Sequence, residues 1–198
     1  MDKVRRILYI ENDEALVESF KEVVTERAKG GIQLTVAYHM DQAKNIIEKE
    51  AAFDGYIIDI MLPRDQEDWK KLEEAEDRRM KLLDDLIEST DLELQKLKPE
   101  AFKLRKEIDE VDEEIGRLVD EEGGVRLVEL IAKRHCAKEP PEALGVPVIF
   151  WTARAAPELQ AKCRQYVGDE YFKWMEKPTG EEEVLDEMVR PLALDGGT

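Results

Sequence analysis

The chain has 198 residues, 42% of them hydrophobic, and a formal net charge of −17. That is enough apolar material for a buried core, which argues against a disordered polymer, and so acidic a surface repels nucleic-acid backbones and anionic lipid. Charged residues reach 39% against roughly 25% in ordinary soluble domains, and the excess is local.

The first 63 residues alternate two textures. Residues 7–10 form a short apolar run of the kind that becomes a buried parallel strand. Residues 14–29 carry Leu16, Phe20, Val23 and Val24 at helical spacing and close on Gly30-Gly31. Residues 32–37 alternate apolar and polar, as a strand nearer an edge does. Residues 41–49 place Ala43, Ile46 and Ile47 on one helical face, and residues 56–60 make a second dense apolar run that contains Asp59 and leads into Met61-Leu62-Pro63. The order is β-α-β-α-β.

Between residues 64 and 123 charged residues become the majority and strand patterns disappear. Ala101, Leu104, Ile108, Val111, Ile115 and Leu118 step by three, four, three, four and three, an unbroken heptad seam. Pro99 suits the start of that helix and Gly123-Gly124 its end. The earlier arm, about 68–89, carries Trp69, Leu72, Leu82, Leu83, Leu86 and Ile87, and two heptad frames fit it about equally well. Joined around residues 90–98, the two arms make an antiparallel helical hairpin.

From residue 124 the first texture resumes. Leu127, Val128 and Ile131 are spaced for a helix; residues 146–151 are a third dense apolar strand, followed by Thr152; Pro157 opens another helix; residues 171–175 read as a strand ended by Lys177-Pro178. Thr179-Gly180-Glu181-Glu182 has the form of a capping box before a last helix. With 64–123 removed, β-α repeats five times, so the expected fold is α/β: a doubly wound parallel sheet over 1–63 and 124–198, with the hairpin inserted at 64–123.

Cys136, Cys163, His39 and His135 fit no zinc spacing, and the two cysteines read as idle thiols in a reducing cytoplasm. The apolar stretch 7–10 is too short for a signal peptide, and no run approaches the ~20 apolar residues of a membrane span. The expectation is a soluble cytoplasmic protein without nucleic-acid or membrane partners.

In a doubly wound sheet, ligands bind beyond the carboxyl ends of the strands. The polar residues there are Glu11 and Asn12 after the first run, Asp59 at the end of the third, Thr152 after the fourth and Lys177 after the fifth. A carboxylate, a second acidic-or-amide pair, a hydroxyl and an ammonium are thereby expected on one rim.

Four blocks carry a resemblance: Ile7-Leu8-Tyr9-Ile10-Glu11-Asn12-Asp13-Glu14, Phe53-Asp54-Gly55-Tyr56-Ile57-Ile58-Asp59-Ile60-Met61-Leu62-Pro63, Pro147-Val148-Ile149-Phe150-Trp151-Thr152-Ala153-Arg154 and Lys177-Pro178. In this order they resemble the signature blocks of CheY-like response-regulator receiver domains. The resemblance covers about 1–63 and 124–190. It implies a flavodoxin-like receiver with strand order 2-1-3-4-5. It also implies that Asp59 accepts a phosphoryl group from a histidine kinase or phosphotransfer protein, assisted by Thr152 and Lys177. Mg²⁺ would be held by Glu11, Asn12, Asp59 and the backbone carbonyl of Met61, and Trp174 would stand at the aromatic switch position. The family has two acids after the first strand. Asn12 replaces the second, and an amide ligates Mg²⁺ without bringing a charge, so metal affinity is expected to fall.

Such a domain is a signalling module rather than an enzyme. Residues 192–198 are too short for an output domain, so output is expected through protein contact (a homodimer or partner docked on the hairpin, or the face of the last two helices and last strand) or from a region outside this chain. A second reading is a pseudo-receiver scaffold that works through the hairpin independently of phosphate. A third, a phosphohydrolase of the haloacid-dehalogenase kind, needs a second aspartate two residues after the first, where this chain has Met61.

Overall fold

The computed structural model describes residues 4–28, 30–91, 96–97, 99–135, 144–153 and 156–194, with backbone alone at 90–91, 96–97, 99–100, 135 and 191–194. Cys136 and Arg154 lie outside the described residues. In chain order the elements are β1 (Arg5–Ile10), α1 (Glu14–Ala28), β2 (Ile32–Ala37), α2 (Met40–Lys49), β3 (Gly55–Ile58), β4 (Leu62–Pro63), α3 (Gln66–Glu88), β5 (Thr90–Asp91), β6 (Lys96–Leu97), α4 (Pro99–Leu118), β7 (Val119–Asp120), α5 (Gly123–His135), β8 (Val148–Thr152), α6 (Pro157–Val167), β9 (Phe172–Glu176) and α7 (Glu181–Leu194).

Five strands form one parallel sheet in the order β2-β1-β3-β8-β9. Numbered within the sheet, that is the expected 2-1-3-4-5. The central runs are apolar throughout because both faces are covered. Leu8, Ile10, Tyr56, Ile58, Val148 and Phe150 face a cluster that includes residues of α2, α5 and α6. Ile7, Tyr9, Ile57, Ile149 and Trp151 face the residues of α1 and α7. Chain direction across the sheet reverses between β1 and β3, which creates the crevice where such folds bind ligands. The register Ile10↔Ile58 puts the next residues, Glu11 and Asp59, side by side at its mouth.

The crossover from β3 to β8 is interrupted by the hairpin. Helices α3 and α4 pack on each other more extensively than any other pair of described elements, and Arg78–Glu114 and Arg79–Asp112 ion pairs cross between them. Their tips are joined by the antiparallel pairing of β5 with β6, and their bases by that of β4 with β7. The ambiguity in the first arm is resolved: Leu72 and Ala75 are buried and Leu82 and Leu86 half-buried, whereas Met80 and Ile87 are exposed.

Two local expectations are corrected. Gly123-Gly124 does not end α4. That helix stops at Leu118, Val119 and Asp120 leave it to pair with Leu62 and Pro63, and the glycines open α5 instead. Nor does a capping box form at Thr179, whose hydroxyl donates to the Glu176 carbonyl while α7 begins at Glu181. A strand-end turn offers that hydroxyl an acceptor before the helix offers it a donor.

Cys163 is buried, and burial pushes its thiol up to about 12, leaving it inert at neutral pH. Among the described residues, no helix is long and apolar enough to cross a membrane.

Candidate functional site

At the mouth of the crevice the Lys177 ammonium bridges two carboxylates. Its Nζ donates to Glu11 Oε2 at 2.7 Å and to Asp59 Oδ2 at 2.8 Å. The remaining oxygens are engaged by backbone: Asp13 N–H donates to Glu11 Oε1 at 3.2 Å, and Met61 N–H to Asp59 Oδ1 at 3.2 Å. Residues 118 and 166 positions apart meet here because each ends a strand of one parallel sheet. Further backbone bonds set the loops, from Asp59 N–H to Ile10 O at 2.9 Å and from Lys177 N–H to Thr152 O at 2.9 Å.

Glu11 is 1% exposed and Asp59 7%. Burial, and then the neighbouring Asp59 charge, raise the Glu11 carboxyl to about 7, against the lowering pull of Lys177. Burial alone would lower the Lys177 ammonium, but the two carboxylates together hold it above its ordinary value. Below this cluster, Tyr9, Phe20 and Trp151 form an aromatic floor, with Lys177 Nζ 5.9 Å from the Trp151 ring centre.

Every candidate residue can now be placed. Glu11, Asp59 and Lys177 touch, Met61 binds Asp59 through its N–H, and Thr152 is buried at the end of β8 beside the Lys177 backbone. Trp174 sits three residues before Lys177, on the side of the sheet that faces α5 and α6. It stacks on Phe150 with ring centres 5.6 Å apart, and its indole N–H is buried without an acceptor among the described residues. Asn12, next to Glu11, lines an acidic cleft with Asp13, Glu14 and Glu18 on one wall and Glu73, Glu76 and Asp77 of α3 on the other.

Three solved structures share this architecture. A CheY-like response regulator receiver domain protein from Methanospirillum hungatei JF-1 is 18% identical, with a TM-score of 0.56 over 98% of each chain. Its fold is that of the CheY-like receivers. A signal receiver domain of an HD domain-containing protein from Pseudomonas fluorescens Pf-5 is 14% identical, with a TM-score of 0.54 over 99% of this chain and 100% of that one. A two-component response regulator from Clostridium difficile is 14% identical, with a TM-score of 0.53 over 96% of each. No protein-family model and no curated protein matches the sequence.

In this receiver fold the inserted hairpin is fastened to the loop after β1, and α5, the helix that follows the hairpin, is fastened to the loop of Asp59. On one side, Gly124 N–H donates to Ile60 O at 3.0 Å, directly after Asp59. On the other, the Trp69 indole N–H donates to the Asn12 carbonyl at 3.0 Å, and its ring stacks on Tyr38 with centres 5.3 Å apart. The sequence shows Trp69 only as one of the apolar residues of the first arm, since no local pattern pairs it with a residue 57 positions away. Trp69→Phe keeps the ring and removes the donor, so it is expected to cost about 1 kcal/mol and to speed amide exchange in the first turns of α3. Unchanged exchange there would show that the indole bond does not anchor the arm.

The donor set can be tested against Mg²⁺. An octahedral ion that keeps several waters needs few protein oxygens. Glu11, Asp59, the Asn12 amide and the Met61 carbonyl are of the right kind and lie at one loop cluster. They fit the ion with one carboxylate fewer than two consecutive acids after β1 would give, and Lys177 already offsets one of the two negative charges that remain.

Proposed function

We propose that the chain is the receiver of a two-component system, with Asp59 accepting a phosphoryl group from the phosphohistidine of a kinase or phosphotransfer protein. The observation that carries this reading is the Lys177 ammonium held on Asp59 and Glu11 at the switch point of the sheet. Phosphoryl transfer needs positioning and charge neutralisation more than covalent chemistry. As an Asp59 oxygen bonds to phosphorus, the P–N bond of the donor breaks and its imidazole leaves. Lys177 can follow the charge onto the phosphoryl oxygens, and the Thr152 hydroxyl can donate to them. Bound Mg²⁺ would supply further positive charge beside those oxygens. Trp174, stacked but without a partner for its N–H, is the ring that would change rotamer as Thr152 moves. Output then passes by protein contact, through the hairpin that Trp69 ties to the loop after β1.

A phosphate-independent scaffold is the second reading. It is favoured by Asn12 at the acid position and by the full occupation of the four carboxylate oxygens of Glu11 and Asp59 by Lys177 and backbone donors. Intact-mass measurement after acetyl phosphate and Mg²⁺ separates the two. One added phosphoryl group that disappears in Asp59→Ala is the expected result. An unmodified parent chain at millimolar Mg²⁺ would establish the scaffold.

A further inference from the structure

Among the described residues the large exposed hydrophobics are Val4, Met80, Ile87 and Phe102, so three of the four belong to the hairpin. Met80, at 57% exposure, and Ile87, at 67%, lie with the half-buried Leu83 on the outer half of α3, and Phe102, at 64%, in the first turn of α4. Each follows by one residue a position of the seam between the helices: Arg79, Leu82, Leu86 and Ala101. In an antiparallel pair, positions one residue past the seam fall on the same broad face of both helices. The four side chains therefore form one apolar patch near the tip. It is more than the pairing of α3 with α4 requires, since the seam positions already serve that.

The charges around the patch differ between the two helices. Two residues past the seam, α3 presents Asp84 and Glu88, while α4 presents Lys103 and Lys106. Among the described residues Asp84 and Glu88 make no ion pair, and the two lysines reach only the half-buried Glu107 and the exposed Glu110, one turn along their own helix. A uniformly acidic or basic partner would match one edge of this face and repel the other. A second copy matches both.

We infer that the hairpin tip is a self-association surface on which two copies of this chain meet about a two-fold axis, α3 of each lying over α4 of the other. Met80, Leu83 and Ile87 then cover the Phe102 of the second copy, and each acidic edge lies along a basic one, the reciprocity that a two-fold interface requires. Nearer the base, the same face carries Glu73 and Glu76 on α3 and Asp109 and Asp112 on α4. Glu73 and Glu76 look across the acidic cleft toward Asp13, Glu14 and Glu18 of the receiver body, and Asp112 is held by Arg79, so the room for a second copy lies at the tips and the copies splay toward their receiver bodies. A patch of this size is smaller than a standard stable interface, which makes the association weak and concentration-dependent.

Sedimentation equilibrium of the full chain without phosphodonor tests this separately from any chemistry at Asp59. The expected result is a reversible monomer–dimer equilibrium, weakened about tenfold or more by Ile87→Glu or by Phe102→Glu, with circular dichroism confirming unchanged helicity. The charge edges give a second arm. Asp84→Lys with Glu88→Lys, and Lys103→Glu with Lys106→Glu, should each abolish self-association, and an equimolar mixture of the two variants should restore it. A chain that is monomeric at all concentrations, a dimer indifferent to Ile87→Glu and Phe102→Glu, or a mixture that does not associate would overturn the proposal.

Discussion

Replacing Lys177 with Met is expected to destabilise the chain by about 3–5 kcal/mol at pH 8, because it strands two buried carboxylates without their shared cation. The loss should shrink as the pH falls to 6. Glu11 already titrates near 7 through burial and the Asp59 charge, and the lysine only pulls it down. Without Lys177 the carboxyl rises further. An acid whose folded pKa exceeds its unfolded value binds its proton more tightly when folded. Its penalty is therefore complete above the folded pKa and fades as the pH drops toward the unfolded one. Lys177 itself, raised above its ordinary range, stays charged throughout this window, so Glu11 sets the slope. Urea unfolding of parent and variant at both pH values reads the difference directly. An equal deficit at pH 6 and pH 8, or one under about 1 kcal/mol, would mean that the ion triad is not closed as described.

Gly124→Ala should cost about 3 kcal/mol and displace the loop that carries Asp59. A Cβ at Gly124 would stand 2.5 Å from the Asp59 carbonyl oxygen, 3.0 Å from Ile60 Cα and 3.1 Å from Ile58 Cγ2. Two of those three are backbone atoms and cannot swing aside. Either α5 lifts off β3 or the loop that carries Asp59 shifts. Gly116→Ala is the internal comparison: that glycine lies within α4 with nothing inside 4 Å of its Cβ position. There the exchange should stabilise by roughly 0.5–1 kcal/mol through helix propensity. Opposite signs for the two substitutions in thermal melts are expected. Equal, small effects would show that Gly124 is not wedged against the loop of Asp59.

The rim of the sheet was legible in the sequence because its residues stand where dense apolar runs end. Glu11, Asp59, Thr152 and Lys177 are each marked by a local change of pattern, and strand ends of a parallel sheet must share one edge. The second hairpin arm was legible because a heptad seam is itself a local period. For the first arm two frames fitted, and the choice came only from packing: Leu72, Ala75, Leu82 and Leu86 turn toward α4, which leaves Met80 and Ile87 outside. The glycine pair was misassigned for a related reason. Glycine after a helical pattern suggests a helix end, whereas here its small size serves a contact with a backbone some 60 positions earlier.

By itself, then, the chain determined the five strands of the sheet, the helices, and which polar groups stand at the strand ends, since those follow from the periods and boundaries of neighbouring residues, but not the two-residue strands β4 to β7 at the two ends of the hairpin. Tertiary structure alone decided that Lys177 lies between Glu11 and Asp59, that Trp69 reaches the Asn12 carbonyl, and that Gly124 presses on the loop of Asp59. Those contacts join positions far apart in sequence, and no local period encodes a distance between elements that only packing brings together.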